Sequence, residues 1–100
     1  MYKLKETLYF SKWLYKLKDV QGKVAILRRL KRVTNGNFGD VKAINENIKE
    51  LRFTNGPGYR VYFSIRNNEI ILLLIGGDKS SQKKDIEKAK EILKELLWIV

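Results

Sequence analysis

The chain reads as an α+β protein: a small single domain over residues 1–100, with an N-terminal helical hairpin, an antiparallel β-meander and a C-terminal helix. Three observations carry this reading. Phe10, Trp13, Leu14 and Leu17 fall at i, i+3, i+4 and i+7, the spacing of one helix face. Between Ile48 and Ile75 the apolar period drops to two and is punctuated by Asn55-Gly56-Pro57-Gly58 and by Asn67-Asn68, the pattern of strands joined by short turns. After Asp85 the helical period returns at Ile86, Ala89, Leu93, Leu96, Leu97 and Val100.

In chain order, Tyr2 to Tyr9 mixes β-formers with lysines, which suits an edge strand. Ser11 is positioned to cap the first helix. Asp19 to Gly22 interrupts the pattern, and a second helix is expected from Gly22 to Val33. Its apolar positions are Val20, Val24 and Leu27 beside Ile26, Leu30 and Val33, with Arg28, Arg29, Lys31 and Arg32 on the remaining surface. Two helices joined so closely should form an antiparallel hairpin. The glycines and asparagines from Asn35 to Asp40 make a loop. Val41 to Ile44 is a short extended segment, and Ile48 to Thr54 a clearer strand with Leu51 and Phe53 on one face and Glu50 and Arg52 on the other. Pro57 fixes φ in the turn that follows, and its flanking glycines supply positive φ. Tyr59, Val61, Phe63 and Ile65 then alternate with Arg60, Tyr62, Ser64 and Arg66. Asn67-Asn68 reads as a two-residue hairpin turn. Ile70 to Ile75 is apolar on both faces, the mark of a central strand. It leads into Gly76-Gly77 and a polar loop through Gln82, with Ser80 or Ser81 as cap of the last helix. The apolar end, Leu97-Trp98-Ile99-Val100, is expected to pack on the domain, the alternative being a surface offered to a partner.

Composition bounds the function. There is no cysteine, so disulfides and thiolate metal sites are out. The longest apolar run is too short to span a bilayer, and the opening residues lack the apolar core of a signal peptide, so a cytoplasmic location and no membrane contact are expected. The net charge is +10, with ten basic residues against two acidic ones in residues 1–35. A field this one-sided favours a polyanion: nucleic acid, a ribosome or an acidic partner protein.

There is also no histidine, which removes the commonest general base and the Ser-His and Cys-His nucleophile pairs. The acidic residues are scattered, with no cluster suited to magnesium, and Gly76-Gly77 lacks Walker spacing. What remains is a polar patch. Arg52 and Arg60 lie on neighbouring strands, each opposite its strand's apolar residues. If they share a sheet face they can converge on a phosphate. Lys79 and Gln82 follow the adjacent strand end and can close the site, backbone amides near Gly77 and Asp78 can add anion contacts, and Tyr62 can stack on a base. The alternative is that Arg52 pairs with Glu50 or Asp40 at the surface and Arg60 is solvated.

The words Glu50-Leu51-Arg52, Gly56-Pro57-Gly58-Tyr59-Arg60-Val61-Tyr62-Phe63 and Leu74-Ile75-Gly76-Gly77-Asp78-Lys79-Ser80-Ser81-Gln82-Lys83-Lys84-Asp85-Ile86 resemble the RelE/HigB toxins of bacterial type II toxin–antitoxin pairs, in the branch called addiction module killer proteins. The resemblance covers nearly the whole chain. It implies a RelE-like fold and a ribosome-dependent, metal-independent endoribonuclease without a cofactor. Such an enzyme cuts messenger RNA when the 2′-hydroxyl attacks the adjacent phosphate, and so inhibits translation. By resemblance Arg60 stabilises phosphorane charge, Arg52 holds the backbone, and Lys79 stabilises charge or assists proton transfer. RNA contact falls to Tyr62, Gln82, Arg28, Arg29, Arg32 and Lys42. Some relatives carry a tyrosine or histidine near the start of the last helix as acid or base; here Asp85, the only carboxylate in that place, is the candidate for proton transfer, although a helix N-terminus should keep it ionised. The implied partners are a cognate antitoxin with a DNA-binding domain, the ribosome and messenger RNA. The related ParE branch shares the fold but binds and inhibits DNA gyrase. That remains the alternative, beside a degenerate toxin that only binds antitoxin or RNA.

Overall fold

A computed structural model describes residues 1–99, with side chains described as far as Leu96. Strand β1 (Lys3–Glu6) leads into helices α1 (Leu8–Lys16) and α2 (Val20–Thr34). Strands β2 (Val41–Ala43), β3 (Lys49–Arg52), β4 (Tyr59–Arg66) and β5 (Ile70–Asp78) follow, then a 3-10 turn at Lys79–Ser81 and helix α3 (Gln82–Ile99). The five strands form one mixed sheet in the order β1-β5-β4-β3-β2. The meander from β3 to β5 is antiparallel, and β1 lies at the far edge, parallel to β5. This is the expected α+β class.

The turns follow their residue chemistry. Gly58 N donates to Asn55 O at 3.0 Å, with φ of 52° at Gly56 and 77° at Gly58. Asn67 and Asn68 both sit at φ 53°, the left-handed pair that a two-residue hairpin needs.

The helix starts differ from expectation. Thr7, not Ser11, caps α1: its hydroxyl oxygen accepts from Phe10 N at 3.2 Å and donates to Leu74 O at 2.7 Å. Asp19 does not merely interrupt the pattern. It caps α2 through Gly22 N at 3.0 Å, so the helix begins at Val20. Ile26, Leu30 and Val33 form its buried stripe, whereas Val20, Val24 and Leu27 are exposed.

Both faces of the sheet are covered. On one, Phe10, Ile26, Leu30 and Val33 pack against Leu51, Val61, Phe63 and Leu73. On the other, Ala89, Ile92 and Leu93 of α3 pack against Ile48, Tyr62 and Leu74. The polar face expected for β4 is therefore not a solvent face. Tyr62 is fully buried, and Ser64 and Arg60 are nearly so. Ile86 and Leu96 join this second core; the packing expected of Leu97 and Val100 lies outside the described side chains.

The polar loop expected from Gly76 is instead strand as far as Asp78. Opposite β4, Tyr62 pairs with Ile75 and Phe63 with Leu73, so Leu74 is an extra residue. This bulge reverses the alternation beyond it. Gly76 then faces α1 and Gly77 faces α3. A Cβ on Gly76 would lie 2.3 Å from the Trp13 ring, and one on Gly77 would lie 1.8 Å from Asp85 Oδ2. Each glycine admits one side chain from a covering helix. The cap after the strand is Asp78, whose carboxylate accepts from Ser80 N at 2.8 Å, with Ser81 Oγ accepting from Asp78 N in return.

Candidate active site

Arg52 and Arg60 are directly opposed across β3 and β4, and Asp78 pairs with Tyr59 at the neighbouring strand end. Lys79, one residue on, donates its backbone N–H to Pro57 O at 3.4 Å. The three cationic residues therefore line one open cavity of about 440 Å³, with Asp40, Phe53, Thr54 and the Gly56-Pro57-Gly58 turn. Among the described residues Asp40 is its only acidic lining residue. Expected at most as an ion-pair partner of Arg52, Asp40 comes to the cavity because β2, which it precedes, pairs with β3, and Arg52 N donates to Asp40 O at 2.9 Å.

Behind the cavity sits Glu50, fully buried. Its Oε1 lies 3.8 Å from Arg52 Nε and 3.9 Å from Arg60 Nε, and its Oε2 accepts from Gln82 Nε2 at 2.8 Å. The two arginines differ in exposure: the Arg52 side chain is 39 % exposed, that of Arg60 only 8 %. Arg60 Nη1 donates to the carbonyls of Gly58 and Tyr59, each at 3.3 Å. Arg60 is thus neither solvated nor free to swing as an open fork.

The other expected contact residues divide. Gln82 is engaged by Glu50. Lys42 is exposed on β2, opposite Glu50 in register. Tyr62 is fully buried under α3, so it has no free face for a base; burial, then the Glu50 carboxylate, raises its hydroxyl pKa. Arg28, Arg29 and Arg32 line a second cavity of about 470 Å³ with Lys31, and it shares Phe53 with the first. Arg29 is also a fixture of the loop: it donates to the carbonyls of Phe38, Asp40 and Arg52 and lies over the Phe53 ring at 4.5 Å.

Asp85 sits in the first turn of α3. It tucks under Gly77 and accepts from Ser81 Oγ at 2.5 Å, yet burial outweighs that bond and raises its pKa. The helix N-terminus does not hold the carboxyl below its ordinary value. A raised folded-state pKa means that the native state binds the proton more tightly than the unfolded chain. Its contribution to stability is therefore full below pH 3.8 and is lost as pH rises through the folded value. Asp85→Asn, which keeps an acceptor for Ser81, is expected to raise the urea midpoint at pH 7 and to lose that advantage below the ordinary carboxyl range. Paired urea titrations at pH 7 and pH 3 check this; a midpoint gain equal at both would contradict it.

Fold and cavity together define a basic α+β protein whose open cavity, between two strands and a helix entry, is lined by Arg52, Arg60 and Lys79. The chain belongs to the family described as Phage derived protein Gp49-like (DUF891), whose model matches residues 12–95. That family is associated with toxin–antitoxin pairs and is related to RelE-like toxins. The chain is also similar to a protein of Haemophilus influenzae (strain ATCC 51907 / DSM 11121 / KW20 / Rd) described as "Uncharacterized protein": 50% identical over 93 residues, 93% of this chain and 94% of the relative. No solved structure matches.

Proposed function

We propose that this chain is the toxin of a toxin–antitoxin pair and acts as a metal-independent, ribosome-dependent messenger RNA endoribonuclease. The observation that carries the reading is the meeting of Arg52, Arg60 and Lys79 around one open cavity. A phosphorane dianion needs fixed positive charge where its charge develops, and these three cations supply it. In the step we infer, O2′ bonds to phosphorus and the P–O5′ bond breaks, leaving a 2′,3′-cyclic phosphate and a 5′-hydroxyl. Asp40 takes the proton of the 2′-hydroxyl, and Lys79 supplies one to the departing 5′-oxygen. The arginines face the non-bridging oxygens. An antitoxin, acidic at least locally, is the partner that such a basic chain requires, and charge complementarity makes their association fast and salt-sensitive.

Expression without antitoxin is expected to arrest growth and to create new 5′ ends in translated transcripts only, read by primer extension. Purified Asp40→Asn and Lys79→Ala proteins should both lose single-turnover cleavage on programmed ribosomes. Equal cleavage of naked RNA would remove ribosome dependence. Inhibition of gyrase supercoiling with intact transcripts would replace the nuclease by a gyrase poison.

A further inference from the structure

We infer that Glu50 is a positioning residue: it grips the Nε edges of Arg60 and Arg52 from behind and so sets the direction in which Arg60 Nη2 and the outer nitrogens of Arg52 face the cavity. This rests on the proposed site and adds a residue that no cleavage step touches directly.

Glu50 has no exposed surface, and a carboxylate so placed must face compensating cations. Both nearest cations approach the same oxygen, Oε1, through Nε. The other oxygen is held by Gln82 from the first turn of α3. The carboxylate is thus fixed from the helix on one side and presents its second oxygen to two guanidinium groups on the other. Arg60 shows the consequence most clearly. Nε points at Glu50 and Nη1 is held by two backbone carbonyls. Among the described residues Nη2 has no protein partner, and unlike Nε it is not sealed in the interior. One nitrogen of three is therefore offered to the cavity, in a direction set by the other two. Glu50 Oε1, Arg60 Nε and the Tyr62 hydroxyl are all buried without a hydrogen-bond partner. At 3.8 and 3.9 Å the Glu50–arginine pairs stop short of hydrogen bonds. The grip has room to tighten by a few tenths of an ångström when an anion draws the outer guanidinium nitrogens forward.

The charge of Glu50 has the wrong sign for holding phosphate, which makes the inference separable from a simple binding role. Glu50→Gln keeps the shape and the contact with Gln82 but removes the charge that orients both Nε–H groups. Phosphate affinity should then hold or rise, because a negative charge behind the site is gone. Turnover should fall at least tenfold, since a misplacement of about 1 Å can cost on the order of a hundredfold. The readouts are inorganic phosphate titration of the arginine Nε–Hε NMR signals, solvent exchange of the Arg60 Nε–H, and single-turnover cleavage on programmed ribosomes.

Support consists of faster Arg60 Nε–H exchange in Glu50→Gln, unweakened phosphate binding and slower cleavage at an unchanged half-saturating concentration. Unchanged exchange, or cleavage within twofold of wild type, overturns the inference. If Glu50→Gln does not fold, Gln82→Ala tests the same grip from the helix side: its exchange should also rise, and unchanged exchange again overturns the inference. Should the wild-type protein cut no RNA, the nuclease reading fails while exchange and phosphate titration still decide the role of Glu50.

Discussion

Arg60→Ala is expected to abolish RNA cleavage and to destabilise the protein at the same time. Its side chain is 8 % exposed and faces Glu50, which is not exposed at all. Truncation leaves that carboxylate with Arg52 alone at 3.8 Å, and Arg52 is partly in solvent. Breaking a buried pair from one side typically costs about 3–5 kcal/mol; the remaining arginine argues for the lower end, about 3 kcal/mol. Loss of a fixed donor at a developing oxyanion costs roughly a hundredfold or more in rate. The alternation of β4 suggests a fold-neutral loss of activity, because it puts Arg60 on a polar face. With α3 over that face, stability falls too. Arg60→Lys should recover stability better than rate: an ammonium still faces Glu50 but cannot be held on two sides while pointing a third nitrogen outward. Arg28→Ala and Arg32→Ala, in the neighbouring cavity, should weaken RNA binding and spare single-turnover cleavage. Urea midpoints and single-turnover rates on the same preparations separate the effects. A variant as stable as wild type would mean that the buried pair contributes nothing, and one that cleaves normally would move the centre of the site away from Arg60.

The meander was legible because turn chemistry and alternation agree. Asn55-Gly56-Pro57-Gly58 and Asn67-Asn68 each demand positive φ, and the strands between them keep period two. The same alternation puts Arg52 and Arg60 on one face, and the structure opposes them in register. Two things were hidden. The first is that α3 lies on that face. Its apolar stripe shows that it packs on something, but no local pattern says which side of the sheet it takes, so the burial of Tyr62 and Glu50 could not be foreseen. The second is the bulge at Leu74. A run of apolar residues from Ile70 to Ile75 carries no period, so one extra residue leaves no trace in it, yet it decides which helix each glycine of Gly76-Gly77 faces. Thr7 is hidden as a cap for a related reason: its hydroxyl also bonds Leu74 O, a contact 67 residues away in sequence. Asp19 caps α2 through a local bond to Gly22 N, but no local pattern shows its second contact: the Tyr59 hydroxyl donates to Asp19 Oδ2 at 2.9 Å across the fold. Burial, and then that contact, push the Tyr59 pKa up to about 12.

Gly76→Ala should be among the most destabilising single-methyl changes in the protein. A glycine inside a strand is normally a weak point, and alanine there is normally an improvement. Here the sign reverses. The added Cβ would lie 2.3 Å from both Cε3 and Cζ3 of Trp13 and 2.6 Å from Cδ2. Those are atoms of a rigid ring, so no flexible side-chain end can give way. The ring itself is hemmed in, 5.9 Å from the centroid of Phe10 and 6.2 Å from that of Tyr59. Displacing it pushes on Tyr59, which is held by Asp19 and packed so closely on α2 that a Cβ at Gly22 would lie 2.6 Å from its ring. The strain therefore spreads to the cap of α2 instead of relaxing at the surface. Overpacking of this kind costs about 1–3 kcal/mol, and the rigidity on both sides argues for the upper end. Trp13→Ala removes the obstacle, so the two changes should be strongly non-additive: Gly76→Ala is expected to be neutral or stabilising once Trp13 is gone. Urea unfolding of the wild type, both single variants and the double variant gives the coupling directly. Equal costs of Gly76→Ala in the two backgrounds would show that the Trp13 ring is not the obstacle. Where β5 shifts to escape the ring, Asp78 and Lys79 move with it, so the single variant should then cleave RNA more slowly even where it remains folded.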